Sequence, residues 1–428
     1  MLFKNITIID ENLDVKKNMF VLVQDGRIAY VGAAVPEGYD GEMFDGSRKL
    51  LMSALINIHA HSPMTLLRGY GEGMALSDWL FTKIFPFEAK MRERDVYYSM
   101  LLGIAEMMKY GTAASTEMYF HTDAIVRAAL ESGFKINISS GITSFDGKPL
   151  SENANFLCEQ KNFETIHGAG GGRILADFSI HGEYTSNPGI VGGLAAYLKG
   201  KDARVHIHLS ETKKEVAECR ERHGITPPAY FEKLGLFDLP VTAAHCVALE
   251  DGDFDILSRH DVTIAHCPVS NLKLASGVAN IPRALRAGIS VGLGTDGPSS
   301  NNALNLFSDL KLFALLHKGV GGDPKLIGAK EALLSVTANG ARAQGRADCG
   351  VLKAGARADL VVIDLDTPSM QPEHDLVSNI VYSLDPSAIF MTMIDGQVVY
   401  RDGEFKTIDL EKVYFEVESS KKRILSEL

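Results

Sequence analysis

Two histidines two residues apart, His59 and His61, close an apolar run that begins at Ile56. In an extended chain, positions i and i+2 point to the same side, so the two imidazoles form half of a divalent-metal site. Taken alone, the pair suits two hydrogen-bonded histidines at a strand terminus equally well. The other polar residues favour the metal. Four further apolar runs end in His206-Ile207-His208-Leu209-Ser210-Glu211, Ala244-His245, Ala265-His266 and Thr295-Asp296-Gly297. His206 and His208 share a face; His208, nearer the end, is the better ligand, and His206 is expected one layer deeper in a barrel interior. Glu211 is placed for general acid/base work. Asp296 suits ligation, although Asp is also a common helix N-cap. His245 is expected beside the ligands, within reach of a reacting water or a developing oxyanion. His266 reads as site wall or core.

Three histidines and one aspartate leave a coordination position for water, whose pKa such a metal lowers towards roughly 7. The chemistry is metal-assisted hydrolysis at an sp2 carbon. A nitrogen-rich set with one carboxylate suits Zn(II), and Fe(II), Ni(II) or Mn(II) fit the same geometry. Residues 174–182, where a metal-bridging carboxylated lysine would be expected, contain no lysine, which argues for one metal.

These residues need strands to carry them. Short apolar, β-branched runs occur at 51–61, 111–119, 135–142, 174–182, 204–211, 241–247, 262–268 and 290–297. Stretches of helical period lie between them at 96–110, 122–132, 190–199, 213–222, 250–259 and 282–287. Eight strands alternating with helices predict an α/β fold, a (β/α)8 TIM-type barrel over residues 51–351, with its active site at the carboxyl ends of the strands. A doubly wound open sheet is the alternative; no GxGxxG opens the first crossover. The glycine-rich stretch 168–172 precedes a strand and reads as a loop. Residues 1–50 contain short strands with an Asp25-Gly26 hairpin signal, and 352–405 contain another pair around Asp395-Gly396. Each piece is too small to stand alone, so both termini are expected to close one composite β-sandwich. Residues 406–428 complete the chain, with an amphipathic helix expected over 411–427.

Composition narrows the function class. The chain has 428 residues, 46% hydrophobic and 23% charged, with a net charge of -11, which disfavours a nucleic-acid partner. The start has no basic segment followed by a sustained apolar stretch, and no uncharged apolar run is long enough to cross a bilayer, so no membrane partner is expected. Five scattered cysteines without CxxC suit free thiols in a reducing cytoplasm. A homo-oligomer remains open.

The ordered pattern resembles the amidohydrolase superfamily and, more narrowly, the 5'-methylthioadenosine/S-adenosylhomocysteine deaminases. The stretches that carry it run from Asn57-Ile58-His59-Ala60-His61-Ser62-Pro63 through Arg68-Gly69, then Asp78-Trp79-Leu80, Met118-Tyr119-Phe120-His121, Ile207-His208-Leu209-Ser210-Glu211-Thr212, Ala243-Ala244-His245-Cys246-Val247, Ser270-Asn271-Leu272-Lys273-Leu274, Gly294-Thr295-Asp296-Gly297 with Ser300-Asn301-Asn302, and Ala358-Asp359-Leu360-Val361. The resemblance implies that His59, His61, His208 and Asp296 hold the metal. It implies that Glu211 carries a proton from the water to the purine N1, assisted by His245 and Asp296. Glu88 lines up with a glutamate that binds the ribose hydroxyls, and His181 with a histidine that contacts the adenine ring; Ser300 is expected at the substrate. Trp79 is expected to wall the pocket, with core packing as its other reading.

Members acting on S-adenosylhomocysteine are expected to offer arginines after the third strand. Here 139–149 contains none, and Lys148 would act only as a point charge. Arg173, before the fourth run, falls at the wrong end. The expected substrate is therefore an adenine nucleoside with a small, uncharged 5' group: methylthioadenosine, 5'-deoxyadenosine or adenosine. Alternatives are a deaminase or chlorohydrolase of guanine, a pterin or a triazine using the same site, and, from another class, a non-catalytic barrel subunit.

Overall fold

The apolar runs become parallel strands in a computed structural model of the protein, which describes residues 1–74, 76–145 and 147–428, with the side chains of Leu76 and Ser77 left aside. The strands are Leu55–Ala60, Thr112–Met118, Lys135–Ser139, the pair Ile174–Ala176 and Phe178–Ile180, Val205–Leu209, Val241–His245, Val262–His266 and Ser290–Leu293. The first begins four residues later than expected and the others within one residue, and all eight end earlier. Helices follow, among them Glu93–Lys109, Thr122–Ser132, Pro188–Leu198, Lys213–His223, Asp251–Ser258, Ile281–Arg286 and Leu306–Gly321. This is the TIM-barrel type of α/β fold.

The ladder is not continuous around the barrel. Strands one to three pair in order and continue to Ile174–Ala176; a second sheet runs from Phe178–Ile180 through strands five to eight. Asp177 splits the fourth strand, and its carboxylate accepts from the Asn137 side chain at 2.9 Å. Strands one and eight meet at the single bridge Ala60↔Asp296. Their seam is held by the Asp296 amide, which donates to the His59 carbonyl at 3.0 Å, and by the Asn57 side chain, which donates to Thr295 Oγ1 at 2.7 Å and accepts from the Thr295 amide at 3.1 Å. Only glycine fits at 294, where an added Cβ would lie 2.6 Å from His59 Cβ.

The barrel interior is filled by small residues, Ala114, Ala244 and Ala265, with Ile56 and Ile58. Larger apolar side chains, such as Phe178, Ile207, Ile264 and Leu310, pack the outer strand faces against the helices. Each fully buried Leu, Ile or Phe contributes about 1.5–3 kcal/mol, so this outer layer carries most of the cohesion and leaves the barrel mouth free for polar groups.

Both termini feed one further sheet of nine strands. Its order is Glu404–Phe405, Gln397–Arg401, Ile389–Ile394, Leu360–Asp364, Lys49–Ser53, Leu2–Ile9, Val15–Gln24 and Arg27–Gly32, with Met43–Asp45 also pairing Leu2–Ile9. The run read as one strand over 51–61 is thus divided at Ala54 between two sheets. A buried ion cluster lies where this sheet meets the barrel floor: Lys135 Nζ is 2.5 Å from Asp359 Oδ2 and 2.7 Å from Asp395 Oδ1. The amphipathic helix Leu410–Glu427 lies on Glu93–Lys109, where the Arg94 guanidinium pairs with Glu416. The 168–172 glycine stretch forms a kinked turn. Among the described residues no helix is long and apolar enough to cross a membrane.

Candidate active site

Four side chains from distant parts of the sequence converge at the carboxyl end of the barrel. Asp296 Oδ1 is 3.4 Å from His59 Nε2 and 3.3 Å from His61 Nε2. His208 Nε2 lies 3.3 Å from His61 Nε2. The potential ligand atoms of His59, His61 and Asp296 lie within 4.8 Å of one another, and so do those of His59, His208 and His245. His59 Nε2 is buried without a hydrogen-bond partner among the described residues. A buried lone pair aimed at other nitrogens and a carboxylate is costly unless a cation sits between them, so the donor set fits a divalent metal.

Each ring is oriented through its other nitrogen. His61 Nδ1 is 2.6 Å from the Met118 carbonyl, His208 Nδ1 2.6 Å from the His181 carbonyl, and His59 Nδ1 2.8 Å from His206 Nε2. A backbone carbonyl can only accept, so Nδ1 of His61 and His208 carries the proton and Nε2 offers its lone pair to the centre. The Asp296 oxygens are differentiated in the same way: Ser270 and Ser300 hydroxyls donate to Oδ2 at 2.5 and 2.9 Å, leaving Oδ1 towards the histidines.

The Glu211 and His245 side of the centre is equally ordered. Glu211 Oε2 lies 3.9 Å from His245 Nε2, and Ser276 donates to Oε1 at 3.3 Å. The Ser210 and Glu211 amides donate to the Glu215 carboxylate at 2.8 and 2.7 Å, and Thr212 caps the same helix by accepting from the Glu215 amide. Burial raises the Glu211 carboxyl above its ordinary value. Burial opposes protonation of His245, but the Glu211 and Asp296 carboxylates raise its pKa overall. Asn271 Oδ1 is 2.9 Å from His245 Nδ1, which puts the His245 proton on Nδ1 and turns Nε2 towards Glu211. His245 and Asp296 both sit at left-handed φ, 72° and 61°, a costly conformation for side-chain-bearing residues that recurs at functional sites.

His61, His208, Glu211, His245 and Asp296 form the floor of an open cavity. Its walls include Trp79, Glu88, Tyr119, His181 and Ser300. Tyr119 donates its phenol proton to Glu88 Oε1 at 2.6 Å. Apart from its cavity face, Glu88 is enclosed by protein, and that desolvation pushes its carboxyl up to about 7. The His181 ring is packed 4.9 Å from the His208 ring. Ser140 and Gly141 reach the cavity from the segment after the third strand, and among the described residues no arginine or lysine lines it. Lys148 is exposed, and Asp146 lies outside the described residues. Arg173 pairs with Asp395 at 3.1 Å, at the opposite end of the barrel.

The structure therefore brings together His59, His61, His208, Glu211, His245 and Asp296, with Glu88, His181, Trp79 and Ser300 around them. His266 is not in the site wall; it faces outward, against Phe313 and His317 of the helix Leu306–Gly321. His206 lies one layer down but touches His59. Sequence reasoning gave no role to Tyr119, Ser270, Asn271 and Glu215. Polar side chains directly after a strand tip, and a Thr-x-x-Glu spacing at 212–215, are the signals that could have found the last three.

The model of the amidohydrolase family matches residues 50–399. A 5-methylthioadenosine/S-adenosylhomocysteine deaminase of Moorella thermoacetica is 38% identical over 421 residues, 97% of this chain and 98% of that one. A 5'-deoxyadenosine deaminase of Methanocaldococcus jannaschii is 38% identical over 404 residues, 94% of this chain and 96% of that one. Among solved structures, an adenosine deaminase from Xanthomonas campestris with bound zinc superposes with a TM-score of 0.92 at 29% identity, covering 99% of this chain and 98% of that one.

Proposed function

The chain belongs to the amidohydrolase family, within it to the 5'-methylthioadenosine/S-adenosylhomocysteine deaminases, and from that premise we propose that it hydrolyses the exocyclic amine of an adenine nucleoside, giving the inosine analogue and ammonia. The observation that carries this reading is the convergence of His59, His61, His208 and Asp296 beneath a cavity that also presents Glu211 and Glu88.

His59, His61, His208 and Asp296 would hold one divalent cation, zinc being the natural fit to three imidazoles and a carboxylate. When bound, the cation supplies a Lewis acid that makes water nucleophilic at neutral pH. Glu211 takes a proton from the attacking water and delivers it to N1 of the purine, which makes C6 electrophilic. His245 in its doubly protonated form, which the Glu211 and Asp296 carboxylates favour, donates from Nε2 to the oxygen added to C6. As the tetrahedral carbon collapses, the remaining proton of the added hydroxyl passes by way of Asp296 to the amine, which leaves as ammonia while the C6 carbonyl forms. Glu88 accepts from the ribose hydroxyls, His181 contacts the purine, and Trp79 and Ser300 bound the pocket. The cavity has no basic side chain among its described lining residues to meet an amino-acid carboxylate. This supports a small, uncharged 5' group over S-adenosylhomocysteine.

We infer that the nine-stranded sheet doubles over as a sandwich, because Ile28 at one end packs in one apolar cluster with Met391 and Met393 near the other. Residues 1–50 with 352–405 then form the small domain, 51–351 the barrel and 406–428 the terminal helix. With free, unpaired cysteines, the cytoplasm is the natural compartment.

The test follows loss of adenine absorbance on methylthioadenosine, 5'-deoxyadenosine, adenosine and S-adenosylhomocysteine, with chelated and zinc-restored protein. Turnover that disappears with chelator and returns with zinc is expected, highest on the first three. No turnover of any adenine nucleoside by the metal-loaded protein would defeat the reading. A marked preference for S-adenosylhomocysteine would defeat its 5'-group part.

A further inference from the structure

Two of the three candidate ligand histidines are anchored by backbone carbonyls, which no substitution can remove. The third, His59, is anchored by a side chain: its Nδ1 lies 2.8 Å from His206 Nε2. His206 is fully buried, directly under the centre. We propose that His206 is a positioning residue that fixes the tautomer and angle of His59, and so sets the cation affinity of the site. The inference rests on the metal-site part of the reading above and not on the identity of the substrate.

The argument follows one proton. A nitrogen that binds a cation must present a lone pair. If His59 Nε2 is that nitrogen, the proton of the neutral ring resides on Nδ1. The hydrogen bond then runs from His59 Nδ1 to His206 Nε2, and His206 must carry its own proton on Nδ1. His206 Nδ1 has no partner among the described residues, so nothing there competes for the opposite tautomer. Groups at this position are usually carboxylates or carbonyls. A neutral imidazole makes the same bond without placing a negative charge beneath a centre that already contains Asp296. The HxH spacing at 206–208 thus has two functions: His208 points its ring at the centre, and His206 holds the ring of a partner across the barrel.

The experiment titrates zinc into metal-free protein against a chromophoric chelator and records the visible spectrum of the cobalt-substituted form. Neither measurement needs a nucleoside. Four variants separate hydrogen bonding from packing. His206→Phe keeps the ring but cannot accept; His206→Asn is polar but too short to reach His59. His206→Gln and His206→Glu reach with an accepting oxygen. Loss of about ten- to a hundredfold in zinc affinity is expected for Phe and Asn, with an altered cobalt spectrum, and recovery to near wild type for Gln and Glu. Wild-type affinity in Phe and Asn, or equal losses in all four, overturns the proposal. Should the Phe variant fail to fold, Asn against Gln makes the same comparison. Normal zinc binding with no deaminase activity would defeat the function and leave this inference standing.

Discussion

Replacing Tyr119 by Phe removes one oxygen from the cavity wall and should move the pH dependence of substrate binding. The phenol donates to Glu88 Oε1 at 2.6 Å. Desolvation pushes the Glu88 carboxyl up to about 7, and this hydrogen bond is the force in the other direction. A hydrogen bond to a charged acceptor contributes about 1.5–3 kcal/mol, which at 1.36 kcal/mol per pH unit is about one to two pH units. Losing the donor destabilises the ionised form, so the pKa rises, to about 8–9. Only the carboxylate can accept from both ribose hydroxyls. In the wild type, KM should therefore climb as pH falls through about 7. In the variant the climb begins one to two units higher. At pH 7.5 the ionised fraction drops by about three- to twenty-five-fold, and KM should rise by the same factor with kcat little changed. Initial rates on methylthioadenosine between pH 6 and 9.5 measure this. An acid limb that stays put in Tyr119→Phe, or that survives in Glu88→Gln, would refute the reasoning.

Asn271→Ala should lower kcat on the order of ten- to a hundredfold with KM nearly constant, because His245 loses the acceptor that fixes its Nδ1 proton; steady-state kinetics on one nucleoside reads this. Lys135→Met leaves the buried Asp359 carboxylate without its cation, while Asp395 keeps Arg173 and Arg357, and should cost about 3–5 kcal/mol in denaturant unfolding while the folded fraction keeps its kcat.

The centre was readable because strand alternation and barrel polarity are strong constraints. Once His59 and His61 mark a strand tip, His208, His245 and Asp296 can only gather at the same mouth. Short-range chemistry was harder to read. His266 follows an alanine in the same register as His245, but only His245 has the left-handed φ, 72°, that turns its ring to the centre, while His266 continues the strand alternation and packs on Phe313. Ser270 and Asn271 act from a helix of six residues, too short to have a period. Tyr119 lies just past a strand, Thr112–Met118, that is buried throughout. In the fold, the division at Ala54 was hidden because apolar residues flank it on both sides. The break at Asp177 was marked by a charge inside an apolar run, but its partner Asn137 is forty positions away in sequence.

The pairing of Lys49–Ser53 has a consequence for how the protein is made. One neighbour of this strand, Leu2–Ile9, leaves the ribosome before it; the other, Leu360–Asp364, is synthesised only after the entire barrel. Throughout that interval a nascent apolar strand has an open edge, the kind of edge that recruits foreign chains. Chaperone demand and inclusion-body losses should accordingly fall when the C-terminal strands are supplied early, as in a circular permutant that starts before Leu360.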